Sequence, residues 1–247
     1  MATIRQLGVI GDVHAEDKRL AQALEFLADE GVCSTVCTGD IADGQGCVDS
    51  SIRLLKQHQV LTVRGNHDRW LLDDRVRHVS NAHCRGDLHE DSIHFLERLP
   101  IQLQLTTVAG SLLLCHGVAK NDLRKVWPGT ERMPVESSHE LDSIIEDDEH
   151  RFVINGHMHF KTMIHFHGLT LINAGTLMGG RWPGFSIIDF EKRCIRAFIF
   201  NTEGGLTQTK LTQLDPEPHH QVWENTQAFT GNWEPLLLFD RNLLATQ

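Results

Sequence analysis

A short turn near residue 65 carries more chemistry than a turn requires. Residues 60–70 read VLTVRGNHDRW, an apolar run that stops at Gly65 and is followed at once by Asn66, His67 and Asp68. Glycine, asparagine and aspartate are ordinary turn residues, but a turn has no need of an imidazole. The segment alone favours an ordinary turn, so its chemistry depends on whether neighbouring strands end in the same way.

Other apolar runs also end in side chains that can bind metals. These are Asp12 and His14 after residues 4–10, Asp40 after residues 32–38, His116 after residues 111–115, and His157 and His159 after residues 151–154. The runs 4–10, 32–38 and 60–63 are separated by helical patterns, which predicts a βαβαβ unit with parallel strands. Because the carboxyl ends of parallel strands meet at one edge of a sheet, we expect these side chains to lie close together.

The remaining patterns predict a helical region and then a strand-rich second half. Apolar spacing predicts helices ending near Gly31, over 48–57, over about 67–79 and over 91–98, and Ser137 is placed to cap a further helix that ends near 147. Residues 101–107 and 111–115 form a predicted hairpin, and residues 118–136 a loop. Strands are predicted at 161–166, 169–173, 184–190 and 194–200, which favours a mixed sheet.

The side chains at the strand ends form a set of metal donors without a thiolate. Carboxylate oxygens, imidazole nitrogens and one amide oxygen suit manganese, iron or zinc. The seven candidate ligands are Asp12, His14, Asp40, Asn66, His116, His157 and His159. Seven ligands exceed what one ion needs, so the set indicates two ions that share a carboxylate.

The order of these segments resembles that of a known superfamily. D-x-H, G-D, G-N-H-D, H-G and G-H-x-H follow one another over about residues 8–200, as in the calcineurin-like metallophosphoesterases. The resemblance implies an α/β fold, a four-layer α/β/β/α sandwich of two mixed β-sheets with a dinuclear site at their edge. It assigns Asp12, His14, Asp40 and His159 to one ion, and Asp40, Asn66, His116 and His157 to the other, so that Asp40 bridges both.

The same resemblance gives catalytic roles to two residues outside the ligand set. His67 matches a histidine that acts as an acid or stabilises the transition state, and Asp43 matches the aspartate that pairs with it in the protein phosphatases of the superfamily. Such an aspartate would orient the imidazole and favour its protonated form. A solvated loop acid is the alternative for Asp43. The expected reaction is hydrolysis of a phosphate ester by in-line attack of a metal-bridging hydroxide.

The sequence departs from the protein phosphatases next to Asp43. Those enzymes have an arginine after the matching aspartate, whereas Gly44 follows here, and they have glutamate in place of Asp68. Cations that could replace the arginine, or be ordinary surface charges, are Arg64, Arg69, Lys120, Arg124 and Arg181. We therefore expect a small phosphodiester or nucleotide phosphoanhydride as substrate, contacted by the loop 118–136. A phosphomonoesterase acting on phosphoprotein and a non-catalytic scaffold are the alternatives.

Composition sets wider limits. The 247 residues carry a formal net charge of -10, which argues against general nucleic-acid binding. Residues 1–203 are predicted to form the catalytic domain, and 204–247 an appendage that packs on it or on a partner subunit of a homo-oligomer. The longest apolar runs are too short to span a membrane, and six cysteines without a CxxC pair suggest free thiols. These features predict a cytoplasmic protein.

Overall fold

Two β-sheets pack face to face in the computed structural model, which describes residues 3–180, 182–201 and 204–239. In chain order the strands are β1 (Gln6–Ile10), β2 (Thr35–Cys37), β3 (Leu61–Thr62), β4 (Gln102–Thr107), β5 (Gly110–Cys115), β6 (Phe152–Asn155), β7 (Lys161–Phe166), β8 (Leu169–Ala174), β9 (Gly184–Asp189), β10 (Cys194–Phe200), β11 (Leu206–Gln213), β12 (Val222–Trp223) and β13 (Leu236–Leu237). The helices are α1 (Asp17–Asp29), α2 (Val48–Gln57), α3 (Asn66–Leu72), α4 (Glu90–Arg98) and α5 (His139–Asp147), with 3₁₀ turns at Arg85–Asp87 and Thr226–Ala228.

Both sheets are mixed, as the sequence predicted. The first has the order β11-β10-β9-β1-β2-β3, in which β1, β2 and β3 are parallel and the other pairs are antiparallel. The second has the order β12-β7-β8-β6-β5-β4, and β13 also pairs with β7. Within it, β5, β6 and β8 are parallel, whereas β4 and β7 run antiparallel to their neighbours β5 and β8.

The alternation of side chains along each strand divides the core into three layers. Leu7 and Val9 of β1 point into the layer between the sheets, whereas Ile10 faces the helices. The outer face of the first sheet packs against α1 and α2 through residues such as Leu24 and Ile52. The outer face of the second sheet packs against α5 and the segment after residue 220. The predicted α/β/β/α sandwich is therefore confirmed.

Several predicted boundaries were wrong. The helix predicted over 67–79 ends at Leu72, and the residues that follow it form a loop that bends back toward Asp43. The cap of α5 is Ser138, whose Oγ accepts the Leu141 N–H at 3.2 Å. Ser137 does not cap this helix, because its hydroxyl donates instead to the Thr226 carbonyl at 3.0 Å. The strands predicted at 32–38 and 60–63 are shorter, since the paired strands span only Thr35–Cys37 and Leu61–Thr62.

The C-terminal segment extends both sheets. Strand β11 pairs with β10 at the edge of the first sheet, and β12 and β13 both pair with β7 in the second. A cavity of about 850 Å³ lies between β7 and this segment, and none of the predicted metal ligands lines it. The division of the chain at residue 204 stays a prediction. Within the described ranges, no helix has the length and apolar character needed to cross a membrane.

Burial of His165 on β7 makes stability depend on pH. The residue is 2% exposed, and burial, together with the nearby charge of His220, lowers the pKa of His165 to about 4. In the unfolded chain this pKa returns to about 6.5, so the unfolded chain binds more protons between the two values. The free energy of unfolding therefore falls as the pH is lowered through this window, by up to about 1.4 kcal/mol per pH unit.

We expect His165→Gln to remove this contribution. Urea unfolding at pH 5 and pH 7, with chelator present, should show a smaller loss of stability on acidification than in the unsubstituted protein. His219→Gln is the matched control, because the His219 side chain is 73% exposed. Equal pH dependence in all three proteins would contradict the prediction.

Candidate metal centre

The structure brings the predicted ligands together at one edge of the sandwich. Donor atoms of Asp12, His14, Asp40 and His159 all lie within 4.8 Å of one another, and so do those of Asp40, His116 and His157. Asn66 joins the second group, since its Oδ1 lies 2.9 Å from His116 Nε2. The two groups have only Asp40 in common. This is the arrangement that two ions sharing one carboxylate would need.

Distances within the groups are those of atoms around a common centre. His159 Nε2 lies 3.2 Å from Asp12 Oδ2 and 3.1 Å from His14 Nε2. In the second group, His116 Nε2 lies 3.2 Å from Asp40 Oδ2. Two donors that each lie about 2.1 Å from one ion, at right angles, are about 3.0 Å apart. The observed spacing therefore suits shared coordination.

The hydrogen bonds of the imidazole rings test whether the centre suits metal ions. His14 Nδ1 lies 2.8 Å from the Asp43 carbonyl oxygen, and His116 Nδ1 lies 2.7 Å from that of Thr38. A carbonyl oxygen only accepts, so in the neutral rings Nδ1 carries the proton and Nε2 presents a lone pair to the centre. The lone pair of His116 then faces the oxygens of Asn66 and Asp40. Acceptors that converge in this way are stabilised by a cation, so the residues fit divalent metals.

The charges of the buried groups lead to the same conclusion. Burial by itself raises the pKa of Asp40, but His116 lowers that pKa well below its usual range. Burial by itself lowers the pKa of His116, but Asp40 and Asp12 raise it to about 10. The carboxylates thus favour a positive charge beside His116, from either a proton or a metal ion. At His157, burial and the charge of His116 lower the pKa to about 4, which leaves this ring neutral and able to bind a metal.

The backbone at the strand ends is strained in order to present these side chains. Five of the nine predicted site residues have positive φ angles, namely His14, Asp40, Asp43, His157 and His159. Residues other than glycine rarely adopt this conformation, and those that do are concentrated at functional sites. Gly65 is required for a related reason, because a Cβ atom there would lie 2.1 Å from Asp40 Oδ1.

Asp68 stabilises the turn in which the opening motif lies. Its carboxylate accepts the backbone N–H groups of Ile41 and Ala42 through Oδ1, and that of Gly65 through Oδ2, at distances between 2.8 and 3.0 Å. Burial, reinforced by the charge of Asp40, raises the pKa of Asp68 to about 7. Asp68 therefore ties the loop after β2 to the start of α3.

His67 and Asp43 form a hydrogen-bonded pair beside the two donor groups. His67 Nδ1 lies 2.8 Å from Asp43 Oδ2, and the His67 side chain is 20% exposed. Burial lowers the pKa of His67, but the hydrogen bond that His67 donates to Asp43 and the charge of Asp40 outweigh burial and raise that pKa overall. The pair thus favours a protonated ring that solvent or a ligand can reach.

Two residues that contact Asp43 were missed in the sequence. Arg77 forms two hydrogen bonds to the carboxylate, Nη1 to Oδ1 at 2.9 Å and Nη2 to Oδ2 at 3.0 Å. The backbone N–H of His83 donates to Oδ1 at 3.0 Å. Both residues lie in the segment after α3, most of which the sequence predicted to be helical, and nothing in its pattern indicated a contact with Asp43.

Comparison with known proteins identifies the superfamily. Residues 6–193 match the calcineurin-like phosphoesterase superfamily domain. The chain belongs to this superfamily. Among curated proteins, an uncharacterized protein of Methanocaldococcus jannaschii is 21% identical over 128 residues, which are 49% of this chain and 52% of that protein. The match thus spans about half the length of that relative.

Solved structures of the phosphoesterase superfamily share the fold. YfcE, a phosphoesterase from E. coli, is 16% identical with a TM-score of 0.52, covering 85% of this chain and 100% of its own. A novel archaeal phosphodiesterase is 18% identical with a TM-score of 0.51, and the match covers 78% of this chain and 99% of that protein. Vacuolar Protein Sorting 29 from Cryptosporidium parvum is 16% identical with a TM-score of 0.54, and the match covers 86% of this chain and 100% of that protein. At these identities the likeness shows the fold alone.

Membership of the phosphoesterase superfamily supports a hydrolase role and divalent metal binding. The structure describes four of the five cations that the sequence offered for contact with a phosphate ester. Arg69 is held by Asp122 through two hydrogen bonds, and Arg124 by Glu140. In the described parts of the chain, the side chains of Arg64 and Lys120 form no ion pair. Arg181 lies outside the described residues. Arg64 and Lys120 therefore remain candidates for contact with a phosphate ester.

We expect Asp43→Asn to slow phosphate-ester hydrolysis while leaving the metals bound. The substitution removes the charge that favours protonated His67, and loss of a partner of this kind costs about 10- to 100-fold. The steady-state rate of Asp43→Asn should be lower than that of the unsubstituted protein by this factor. Elemental analysis should show the same metal content in both proteins. Asp29→Asn, at an exposed carboxylate on α1, is the control and should have no effect. A normal rate in Asp43→Asn would show that Asp43 is an ordinary loop acid.

Proposed function

We propose that this protein is a dinuclear metal-dependent hydrolase that cleaves a phosphodiester or a nucleotide phosphoanhydride. The observation that carries the proposal is the pair of donor groups that share Asp40, with the His67–Asp43 pair at their border. Such a combination provides both metal coordination and a protonated acid within one small region. The superfamily match and the likeness to an archaeal phosphodiesterase agree with this function.

Seven residues would hold the two ions: Asp12, His14, Asp40, Asn66, His116, His157 and His159. When bound, the ions supply Lewis-acid activation of water and neutralise charge on the phosphate. Asp12 and Asp40 compensate only part of the charge of two divalent ions, because Asn66 and the histidines are neutral ligands. The centre would therefore attract a phosphate anion despite the acidic composition of the chain.

His67 would donate a proton to the leaving oxygen. Its Nδ1 is held by Asp43, so Nε2 is the ring atom that is free to act on a substrate. The backbone N–H of His67 donates to Asp40 Oδ1 at 2.8 Å, which fixes the acid relative to the shared ligand. A general acid in this position contributes about 10²- to 10⁴-fold to the rate.

The loop after Asp40 favours a diester over a phosphoprotein substrate. A Cβ atom at Gly44 would lie 1.8 Å from the His14 carbonyl oxygen, so no side chain fits there unless the backbone moves. The arginine that grips phosphate in the protein phosphatases therefore has no room at this position. A diester carries one negative charge less than a monoester and depends less on such a group. This supports the diester as the leading substrate class.

The proposal is tested with two aryl substrates on chelator-stripped protein. Added Mn²⁺ should restore hydrolysis of bis(p-nitrophenyl) phosphate, with a kcat/KM higher than that for p-nitrophenyl phosphate. Faster cleavage of the monoester would favour a phosphomonoesterase. Two bound metals without hydrolysis of either compound, or of dinucleoside polyphosphates, would favour a non-catalytic scaffold.

A further inference from the structure

The carboxylate of Asp43 is held by more groups than a simple histidine–aspartate pair requires. It is 2% exposed, and four N–H donors contact it, one from His67, two from Arg77 and one from the backbone of His83. The backbone N–H of Asp43 in turn donates to His83 Nδ1 at 3.2 Å. Asp43 is therefore anchored on both sides by the segment after α3.

Arg77 is committed to the protein and is not free to bind phosphate. Besides its two bonds to Asp43, Nε donates to the Arg75 carbonyl at 2.7 Å and Nη1 to the His83 carbonyl at 2.8 Å. These contacts occupy four of the five N–H groups of a guanidinium. The paired, planar geometry fixes the orientation of a carboxylate in a way that a lysine ammonium does not.

Asp43 needs such an anchor because its own loop provides little support. It has a φ of 64°, and residues 41–47 contain no helix or strand. Its carbonyl oxygen accepts from His14 Nδ1, and its carboxylate oxygen faces His67 Nδ1. Asp43 thus contacts the predicted metal ligand His14 through its backbone and the predicted acid His67 through its side chain, so rotation of the carboxylate alone would disturb His67 and leave the contact with His14 in place.

We propose that Arg77 is a positioning residue, which acts through Asp43 to hold His67 in its productive orientation. This inference rests on the proposed phosphoesterase function. Under this proposal, the segment 73–84 holds the catalytic histidine in position, although the segment lies outside the sequence motifs of the superfamily.

Kinetics of five variants, one of them Asp43→Asn as a background, test the proposal. Arg77→Met should lower kcat for bis(p-nitrophenyl) phosphate by about 10-fold, as expected for loss of an outer partner, with KM and metal content unchanged. Arg77→Lys should recover only part of this loss. In an Asp43→Asn background, Arg77→Met should cause no further loss, because the residue through which it acts is already changed. Arg75→Met, at an exposed arginine in the same segment, is the matched control.

A spectroscopic measurement separates this proposal from the proposed function. In the ¹H NMR spectrum of the zinc-loaded protein, the downfield His67 Nδ1–H signal is identified by its loss in His67→Asn. It should disappear in Asp43→Asn, shift in Arg77→Met and stay in place in Arg75→Met. This pattern without hydrolysis of any ester would reject the proposed function and retain the positioning role. An unchanged signal and kcat in Arg77→Met, or an equal fold-loss in both backgrounds, would overturn the positioning role.

Discussion

Asp40→Asn should abolish hydrolysis and prevent the protein from retaining two metal ions. Asp40 is 1% exposed and is the only residue common to both donor groups. Asparagine has nearly the same size, but it lacks the charge that would bind both ions, and it can offer only one oxygen. Loss of an outer partner already costs about 10- to 100-fold in metal affinity, so loss of a shared ligand should cost more than about 100-fold.

Elemental analysis after gel filtration, together with diester hydrolysis, measures both effects. Asp142→Asn is the matched control, because Asp142 is also a buried carboxylate but lies on α5, where it accepts a hydrogen bond from the Thr226 N–H. The control should retain two metals and full activity. Two tightly bound metals and normal turnover in Asp40→Asn would show that Asp40 does not bridge the ions.

His67→Asn should lower kcat by about 10²- to 10⁴-fold without loss of metal. The substituted residue keeps the backbone N–H that donates to Asp40 but removes the ring that would protonate the leaving oxygen. The loss should be largest for alkyl leaving groups, because an alkoxide needs a proton more than a nitrophenolate does. A series of diesters with leaving groups of increasing basicity, assayed on both proteins, measures this dependence.

His78→Asn controls for the loss of a histidine, since His78 is exposed in the loop that follows α3. It should resemble the unsubstituted protein throughout the series. A loss in His67→Asn that is the same for every leaving group would argue against proton donation. Loss of metal in His67→Asn would instead place His67 among the ligands.

The local sequence was sufficient to predict which residues lie at the sheet edge, because that prediction depends only on where strands end. Asp12, Asp40 and His116 each follow an apolar run, and parallel strands bring their carboxyl ends together. The strand-rich second half of the chain indicated a mixed sheet, and the resemblance to the superfamily implied the sandwich of two mixed sheets. The metal roles of these residues stay predictions, although the structure brings the side chains together.

Contacts between distant loops could not be predicted in this way. The bond between Arg77 and Asp43 joins residues 34 positions apart, neither of them in a helix or strand. Helical spacing favoured continuation of α3 beyond Leu72, but the helix ends there and Asp74 has a positive φ of 51°. The choice of Ser138 over Ser137 as the cap of α5 likewise depends on Thr226, which lies 88 residues further along the chain.

The most direct test of the dinuclear centre is a titration of chelator-stripped protein with Mn²⁺, in which bis(p-nitrophenyl) phosphate hydrolysis is followed at each addition. The two groups of donors that share Asp40 predict that activity rises until two equivalents per chain are bound and then stays constant. Full activity at one equivalent, or activity in the stripped protein that metal does not increase, would contradict a dinuclear centre.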